Sequence, residues 1–198
     1  MKYDFIEIGT SDWDTLIQST ENKIGISIEP VKYYLDKLPN NPHVIKVNCG
    51  VSDSYTMSKV YWIEESDIIK HNLSWFLKGC NSIHEPHPVS LRELKEKNIE
   101  YLMKEKEIEI LDWKTIVERY NVTEVSLLKL DCEGHDYVIV NNILDSDCEI
   151  LPNEIKFEAN ELTTVEDREN TIKKAEEKGY ELVEFNIWMA EVILKLKK

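Results

Sequence analysis

Strand-like apolar runs alternate with helix-like segments along most of this chain, and this alternation constrains the fold more than any other feature of the sequence. Strands are predicted over residues 3–8, 24–28, 44–47, 57–63, 125–130 and 154–157, and helices over 30–38, 113–120, 135–144 and 166–178. A short helix is expected after Asp12, which can cap it, and residues 50–53 suit a turn. Two last strands, over 180–185 and 190–196, suit a hairpin around Asn186 and Ile187. The pattern predicts an α/β fold with a mostly parallel sheet, and 198 residues suit a single domain over 1–198.

Residues 64–106 interrupt this alternation. Residues 72–88 are rich in Gly, Asn, Ser, His and Pro and suit an ordered loop, whereas residues 89–107 are highly charged and are predicted to be helical. Long insertions between the strands of a compact domain commonly serve as lids or binding loops. We therefore expect residues 79–87, which follow Trp75 and Phe76, to form a lid over a second substrate, with Asn81, His84 and His87 as its polar groups.

The net charge of −14 limits the partners that the chain can have. Nucleic-acid binding needs a basic footprint, and anionic membranes repel an acidic protein, so neither is expected as a partner. No apolar stretch is long enough to span a bilayer, and the strand-like N-terminus does not resemble a secretory signal. The four scattered cysteines lack the spacing of a zinc finger or a disulfide framework. These features favour a cytoplasmic protein that acts on a small molecule.

Acidic or small polar residues follow five of the predicted strands. Ligands of open α/β sheets bind beyond the carboxyl ends of the strands, so these residues are candidate site residues. Any single acid could simply cap a helix, but buried carboxylates are costly, and five such positions at one edge favour a polar ligand. The positions are Glu7 to Ser11, Glu29 with Pro30, Asn48 to Gly50, Asp131 to Gly134, and Glu158 to Asn160.

The first two strands suggest the kind of ligand. Gly9 permits a tight turn and a close approach to the ligand, and Glu29, one strand later, can accept hydrogen bonds from ribose hydroxyls. The loop after the first strand has a single glycine, and Asp12 would repel phosphates. A cationic nucleoside without phosphates, such as S-adenosylmethionine, therefore fits better than NAD. A nicotinamide-dependent oxidoreductase remains a weaker alternative.

Three motifs together resemble the FkbM-type methyltransferases: residues 5–10 (FIEIGT), 26–30 (ISIEP) and 128–134 (LKLDCEG). The last motif is the most specific, and the resemblance covers roughly residues 4–160. It implies a Rossmann-like class I methyltransferase fold with a seven-stranded sheet, S-adenosylmethionine as methyl donor, and O-methylation of a small polar metabolite or sugar. The chain departs from the family where Trp13 replaces a loop glycine. Trp13 therefore supports an alternative, a catalytically silent scaffold on the same fold.

The resemblance also implies roles for individual residues. The residues expected to bind the donor are Glu7, Gly9, Thr10, Ser11, Glu29, Pro30, Cys49, Gly50, Asp53 and Asp131. A carboxylate or a histidine must remove the proton of the acceptor. The candidates for this role and for facing the acceptor are Asp131, Glu133, His135, Glu158 and His84. A divalent metal is not expected, but Asp131, Glu158 and Asn160 could supply oxygen ligands to one.

Overall fold

A computed structural model describes residues 1–12, 15–186 and 190–197 of the chain. Its strands are β1 Lys2–Ile8, β2 Gly25–Ile28, β3 Val44–Val47, β4 Gly50–Val51, β5 Thr56–Trp62, β6 Ser82–Ile83, β7 Lys104–Leu111, β8 Glu124–Leu130, β9 Glu154–Glu158, β10 Tyr180–Asn186 and β11 Glu191–Leu196. Its α-helices are α1 Leu16–Ser19, α2 Lys32–Leu35, α3 Glu65–Lys70, α4 Pro88–Lys97, α5 Trp113–Arg119, α6 Asp136–Asp145 and α7 Val165–Glu177. Short 3-10 helices span Trp75–Lys78 and Glu100–Leu102.

Seven strands form the main sheet, in the order β3-β2-β1-β8-β9-β11-β10. The strands from β3 to β9 are parallel to their neighbours, whereas β11 is antiparallel to both β9 and β10. The prediction of an α/β fold with a mostly parallel sheet and a C-terminal antiparallel hairpin is therefore confirmed. Ile187, which was predicted to lie in the turn, is outside the described residues.

A buried core explains why β1 and β8 lie at the centre of the sheet. Both faces of β1 are covered, because Tyr3, Phe5, Ile6 and Ile8 are each at most 2% exposed. Central strands of a parallel sheet carry such continuous apolar runs because helices cover both of their faces. The central position of β1 and β8 places the two loops that follow them side by side at one edge of the sheet.

A second sheet, which the sequence analysis did not predict, arises from β4 to β7 in the order β4-β7-β5-β6. Two predictions are wrong here. Residues 50–51 form β4 rather than part of a turn, and the predicted helix over 89–107 ends at Lys97, after which β7 begins at Lys104. β7 is antiparallel to β5. The Lys59 ammonium group of β5 lies 2.6 Å from the Glu105 carboxylate of β7, and Ile110 of β7 is buried. Cross-strand pairing thus outweighs the helix propensity of its Lys and Glu residues.

The segment between β5 and β7 has an apolar cluster of its own. Leu94 of α4 is a buried member of this cluster, as are Leu77 and Leu102 of the two 3-10 helices. Ile63, which directly follows β5, is also buried in it. The predicted loop over 72–88 contains the first 3-10 helix and β6. This packing fixes the position of residues 79–83 against the main sheet.

The start of α1 also differs from the prediction. Thr15, not Asp12, occupies the N-cap position, and the Asp12 carboxylate instead lies 2.9 Å from the Lys78 ammonium group. Lys78 stands on the 3-10 helix that precedes residues 79–83. An ion pair therefore connects the loop after β1 with the inserted segment.

Candidate functional site

A cleft opens at the carboxyl ends of the parallel strands. The loops after β1, β2 and β8 form one side, and β4 with residues 79–83 of the inserted segment forms the other. Its lining residues are Ile8, Gly9, Ser11, Glu29, Pro30, Cys49, Gly50, Val51, Gly79, Asn81, Ser82, Ile83, Asp131, Cys132, Glu133 and His135. The cleft thus brings together residues from four of the five predicted strand-end positions, whereas Glu158 to Asn160 lie outside its lining.

Gly9 brings the loops after β1 and β8 into contact. Its φ is +79°, and a Cβ atom at this position would lie 1.9 Å from the Asp131 carbonyl oxygen. That oxygen belongs to the backbone and cannot move away cheaply. Only glycine therefore permits this approach, which places Asp131 in the cleft wall.

Glu29 is the most buried carboxylate of the cleft lining, with 1% of its surface exposed. Its Oε2 accepts a hydrogen bond from the Ser11 amide (2.7 Å) and its Oε1 accepts one from the Val31 amide (2.8 Å). Burial raises the pKa of Glu29 to about 7, against the lowering effect of these two amides. Ser11 also donates its hydroxyl proton to the Lys78 carbonyl oxygen (3.2 Å), which links this acid to the inserted segment.

Glu7 lies beneath the cleft rather than in its lining. Its carboxylate accepts a hydrogen bond from the Leu16 amide at the start of α1 and pairs with the Lys129 ammonium group at 3.1 Å. Glu7 is 1% exposed, and the Lys129 side chain 15%. The pair joins β1 to β8, so the lysine of the 128–134 motif supports the loops structurally.

The loop after β8 presents acids to the cleft. Asp131 is exposed there, and Glu133 follows with φ +52° before Gly134 with φ +86°. Two consecutive residues with positive φ need side chains that tolerate this conformation, which glycine does at position 134. A Cβ at Gly134 would lie 2.5 Å from the Leu162 Cβ, so this glycine also permits close packing against the loop after β9.

Asp136, which was not among the site residues predicted from the sequence, holds this loop in place. It is fully buried at the first turn of α6, where its Oδ2 accepts from the Cys132 amide (3.1 Å) and its Oδ1 from the Glu158 amide (3.2 Å). Burial raises its pKa to about 7, and the charge of Asp131 adds to this effect. Asp136 thereby joins the ends of β8 and β9.

Glu158 lies beside these acids but is not among the residues that line the cleft. Burial, followed by the charges of Asp131, Glu133 and Asp136, raises its pKa to about 8. Asn160 donates its amide proton to Glu158 (2.8 Å), and its Oδ1 accepts from the Leu162 amide (2.9 Å). The Asn160 oxygen thus has one of its two acceptor positions occupied by the Leu162 amide.

His135 lines the cleft and contacts Ser52 and His84. Its Nε2 lies 2.9 Å from the Ser52 hydroxyl, and its ring centroid lies 5.8 Å from that of His84. Burial lowers the pKa of His135 to about 4, so the ring is neutral near pH 7. His84 is exposed, with φ +70°, and its Nδ1 lies 2.8 Å from the Ser58 hydroxyl.

The inserted segment contributes Gly79, Asn81, Ser82 and Ile83 to the cleft. The Asn81 Oδ1 is buried and has no hydrogen-bond partner among the described residues. Its amide group donates to the Lys78 carbonyl oxygen at 3.1 Å. Trp75 and Phe76, which precede this wall, are 71% and 42% exposed and contact each other edge to face.

The other predicted donor residues divide into two groups. Pro30, Cys49 and Gly50 line the cleft, and burial raises the pKa of Cys49 to about 12, which keeps its thiol protonated. Thr10 is buried outside the lining, and Asp53 is exposed and also outside it, with its carbonyl oxygen accepting from the Asn142 side-chain amide (2.9 Å). Trp13 lies outside the described residues.

A cleft at the carboxyl ends of parallel strands, with a buried acid after β2 and further acids after β8, is the arrangement in which open α/β folds bind polar ligands. The methyltransferase FkbM domain matches residues 6–182. The chain therefore belongs to the FkbM methyltransferase family, which confirms the resemblance and supports methyltransferase activity in general. Comparisons with curated proteins and with solved structures give no match. Among the described residues, no helix is long and apolar enough to cross a membrane.

Proposed function

We propose that this protein uses S-adenosylmethionine to methylate a hydroxyl group of a small polar molecule. The family match and the strand order support a Rossmann-like class I methyltransferase fold. The observation that carries the proposal is Glu29, a buried carboxylate that lines the cleft after β2. In nucleoside-binding α/β folds an acid at this place holds the ribose hydroxyls.

The residues of the cleft fit such a donor. An ionised carboxylate has about four acceptor positions, and the Ser11 and Val31 amides occupy two of those of Glu29. Two positions therefore remain for the ribose hydroxyls. The Asn81 Oδ1, which has no hydrogen-bond partner among the described residues, is a buried acceptor in the opposite wall and suits a hydroxyl group of the methyl acceptor. Gly9 and Gly50 keep the floor of the cleft free of side chains.

The charge of the cleft favours a cation over a phosphate. Asp131 and Glu133 stand in the lining, and Asp136 and Glu158 lie close enough to interact with them electrostatically. Negative charge of this kind stabilises a sulfonium and repels the pyrophosphate of NAD. The cleft thus favours S-adenosylmethionine over a nicotinamide dinucleotide.

The proposed donor supplies an electrophilic methyl group, and the residues of this chain position the acceptor and take its proton. His135 is the candidate base that lines the cleft, and it is unprotonated near pH 7, but its lowered pKa of about 4 makes it a weaker base than an ordinary histidine. Glu158 is the second candidate, since its raised pKa of about 8 leaves its ionised form strongly basic. The inserted segment limits the space for the acceptor and excludes water from it.

We further propose a small-molecule acceptor rather than a nucleic acid or a membrane, because the net charge is −14. The four cysteines are free thiols, which suits a reducing compartment, and we propose the cytoplasm.

Glu29→Gln tests the donor site, with Glu177→Gln on the exposed end of α7 as the matched control. Hydrogen bonds to a charged group contribute about 1.5–3 kcal/mol, so the affinity for S-adenosylmethionine should fall roughly 10- to 100-fold in Glu29→Gln alone. Circular dichroism of both variants establishes that they are folded. Equal affinities in a folded Glu29→Gln and in the control would contradict this assignment.

The Asn81→Ala, His84→Ala double variant tests the inserted segment as an acceptor lid. We expect methyl transfer to a productive acceptor to fall about 10-fold or more, because misplaced groups slow catalysis. Affinity for S-adenosylmethionine should fall less than turnover. Unchanged turnover would contradict the assignment of the inserted segment as an acceptor lid.

A further inference from the structure

We propose that Cys80, His87 and Glu133 form a binding site for a zinc ion between the inserted segment and the loop after β8. This site differs from the oxygen set Asp131, Glu158 and Asn160. It does not depend on methyl transfer, and a purified protein can test it without an acceptor.

The three side chains come from separate parts of the fold and converge. Cys80 follows the first 3-10 helix, His87 is the N-cap residue of α4, and Glu133 belongs to the loop between β8 and α6. The Cys80 Sγ, a His87 ring nitrogen and a Glu133 carboxylate oxygen all lie within 4.8 Å of one another. Ligands of a tetrahedral zinc ion, at about 2.0–2.3 Å from it, lie about 3.3–3.8 Å apart, so the three side chains would need to close by at most about 1.5 Å to hold one.

His87 gives an independent reason to place a ligand there. Its side chain is only 4% exposed, and its Nε2 is buried without a hydrogen-bond partner among the described residues. The nearest acceptor, the Glu133 Oε2, lies 3.5 Å away, beyond the length of a normal hydrogen bond. A buried polar nitrogen that lacks a partner is costly, and a metal ion at the centre of the three groups would satisfy it.

The ligand types favour zinc among the divalent ions. A thiolate and an imidazole are too soft for Mg²⁺ or Ca²⁺, and a mixed set of sulfur, nitrogen and oxygen is typical of Zn²⁺. Cys80 is 8% exposed and would release its thiol proton to solvent on binding. His87 would bind the ion through Nε2 and carry its proton on Nδ1. A protonated Nδ1 is no longer an acceptor, so the 3.3 Å hydrogen bond from the Val89 amide would be lost.

An ion at this place would fasten the inserted segment to the 128–134 motif. Glu133 also lines the cleft, so the ion would lie beside the wall of the proposed donor site. Three protein ligands leave the fourth position of a tetrahedral zinc ion open, as in zinc sites that bind water or a substrate oxygen.

The test begins with full-length protein freed of metal by a chelator and titrated with Zn²⁺, and separately with Co²⁺ as a spectroscopic probe. We expect one Zn²⁺ per chain and, with Co²⁺, a thiolate-to-metal charge-transfer band with the visible absorption of a tetrahedral site. Cys80→Ser should abolish the band, and His87→Asn should lower zinc affinity by more than the roughly 10- to 100-fold typical of outer-shell partners.

Cys148→Ser is the matched control, because Cys148 is also a free, partly buried thiol but belongs to none of the three segments. It should bind zinc and cobalt as the unaltered protein does. The cobalt spectrum of the unaltered protein tests the site even if a variant fails to fold. A stoichiometry near zero, a cobalt spectrum without the thiolate band, or binding that survives both Cys80→Ser and His87→Asn would overturn the proposal.

Discussion

Replacing Gly9 by alanine tests the contact that places Asp131 in the cleft. The change has two costs: the φ of +79° is strained for any residue with a Cβ, and the new atom would lie 1.9 Å from the Asp131 carbonyl oxygen. The left-handed conformation costs about 1–2 kcal/mol, and overpacking typically adds about 1–3 kcal/mol. We therefore expect Gly9→Ala to lower the free energy of unfolding by about 2–5 kcal/mol.

Gly179→Ala is a matched control within the same chain. Gly179 has φ +94°, but a Cβ there would meet nothing closer than the Leu196 Cδ1 at 3.9 Å. This variant should lose only the conformational part, about 1–2 kcal/mol, and should bind S-adenosylmethionine normally. Urea unfolding gives the first quantity and calorimetric titration the second. If both variants lost the same stability, or if Gly9→Ala bound the donor as tightly as Gly179→Ala, the assigned role of this contact would be wrong.

Two further predictions concern buried acids. Asp136→Asn keeps the shape of the side chain but turns an amide donor toward the Cys132 or Glu158 amide, so stability in urea should fall by about 1–3 kcal/mol and turnover should fall with it. Unchanged stability would contradict the bridging role. The second prediction, on the pH dependence of stability, follows from the raised pKa values of Glu29, Asp136 and Glu158. Their contribution to stability is complete below the unfolded-state pKa values near 4 and is lost as pH rises to about 8. Unfolding at pH 5 and pH 8 should show this loss, and Asp136→Asn should reduce it; an unchanged pH dependence would refute the assigned burial.

The main sheet was predictable because its central strands are rich in buried apolar residues. β1 and β8 are mostly apolar, and Gly9 and Asp131, which follow them, line the cleft. β9 alternates buried Ile155 and Phe157 with polar residues and ends at Glu158, outside the cleft lining. The second sheet was not predictable in the same way. Three of the first four residues of β7 are exposed, and its alternating Lys and Glu residues favour a strand only once β5 lies beside them.

Residues of the candidate site were predictable where their position depends on a strand end, and were not predictable where it depends on contacts between distant segments. Residues that follow strand ends directly, such as Gly9, Glu29 and Asp131, lie in the cleft as the sequence indicated. Asp136 was missed because its role depends on two backbone amides from different loops, one of which is 22 residues away in the chain. Its position at the start of α6, two residues after Gly134, was the available signal. Glu7 was expected in the donor site, but it lies outside the cleft lining, where Lys129 and the start of α1 contact its carboxylate.

The donor assignment is tested by calorimetric titration of the folded, purified protein with S-adenosylmethionine and S-adenosylhomocysteine, with NAD as a control ligand. We predict saturable binding of the first two ligands, no binding of NAD, and weaker binding of both sulfur nucleosides to Glu29→Gln. Failure of folded protein to bind either sulfur nucleoside would contradict the account and favour a silent scaffold, and binding of NAD alone would favour an oxidoreductase.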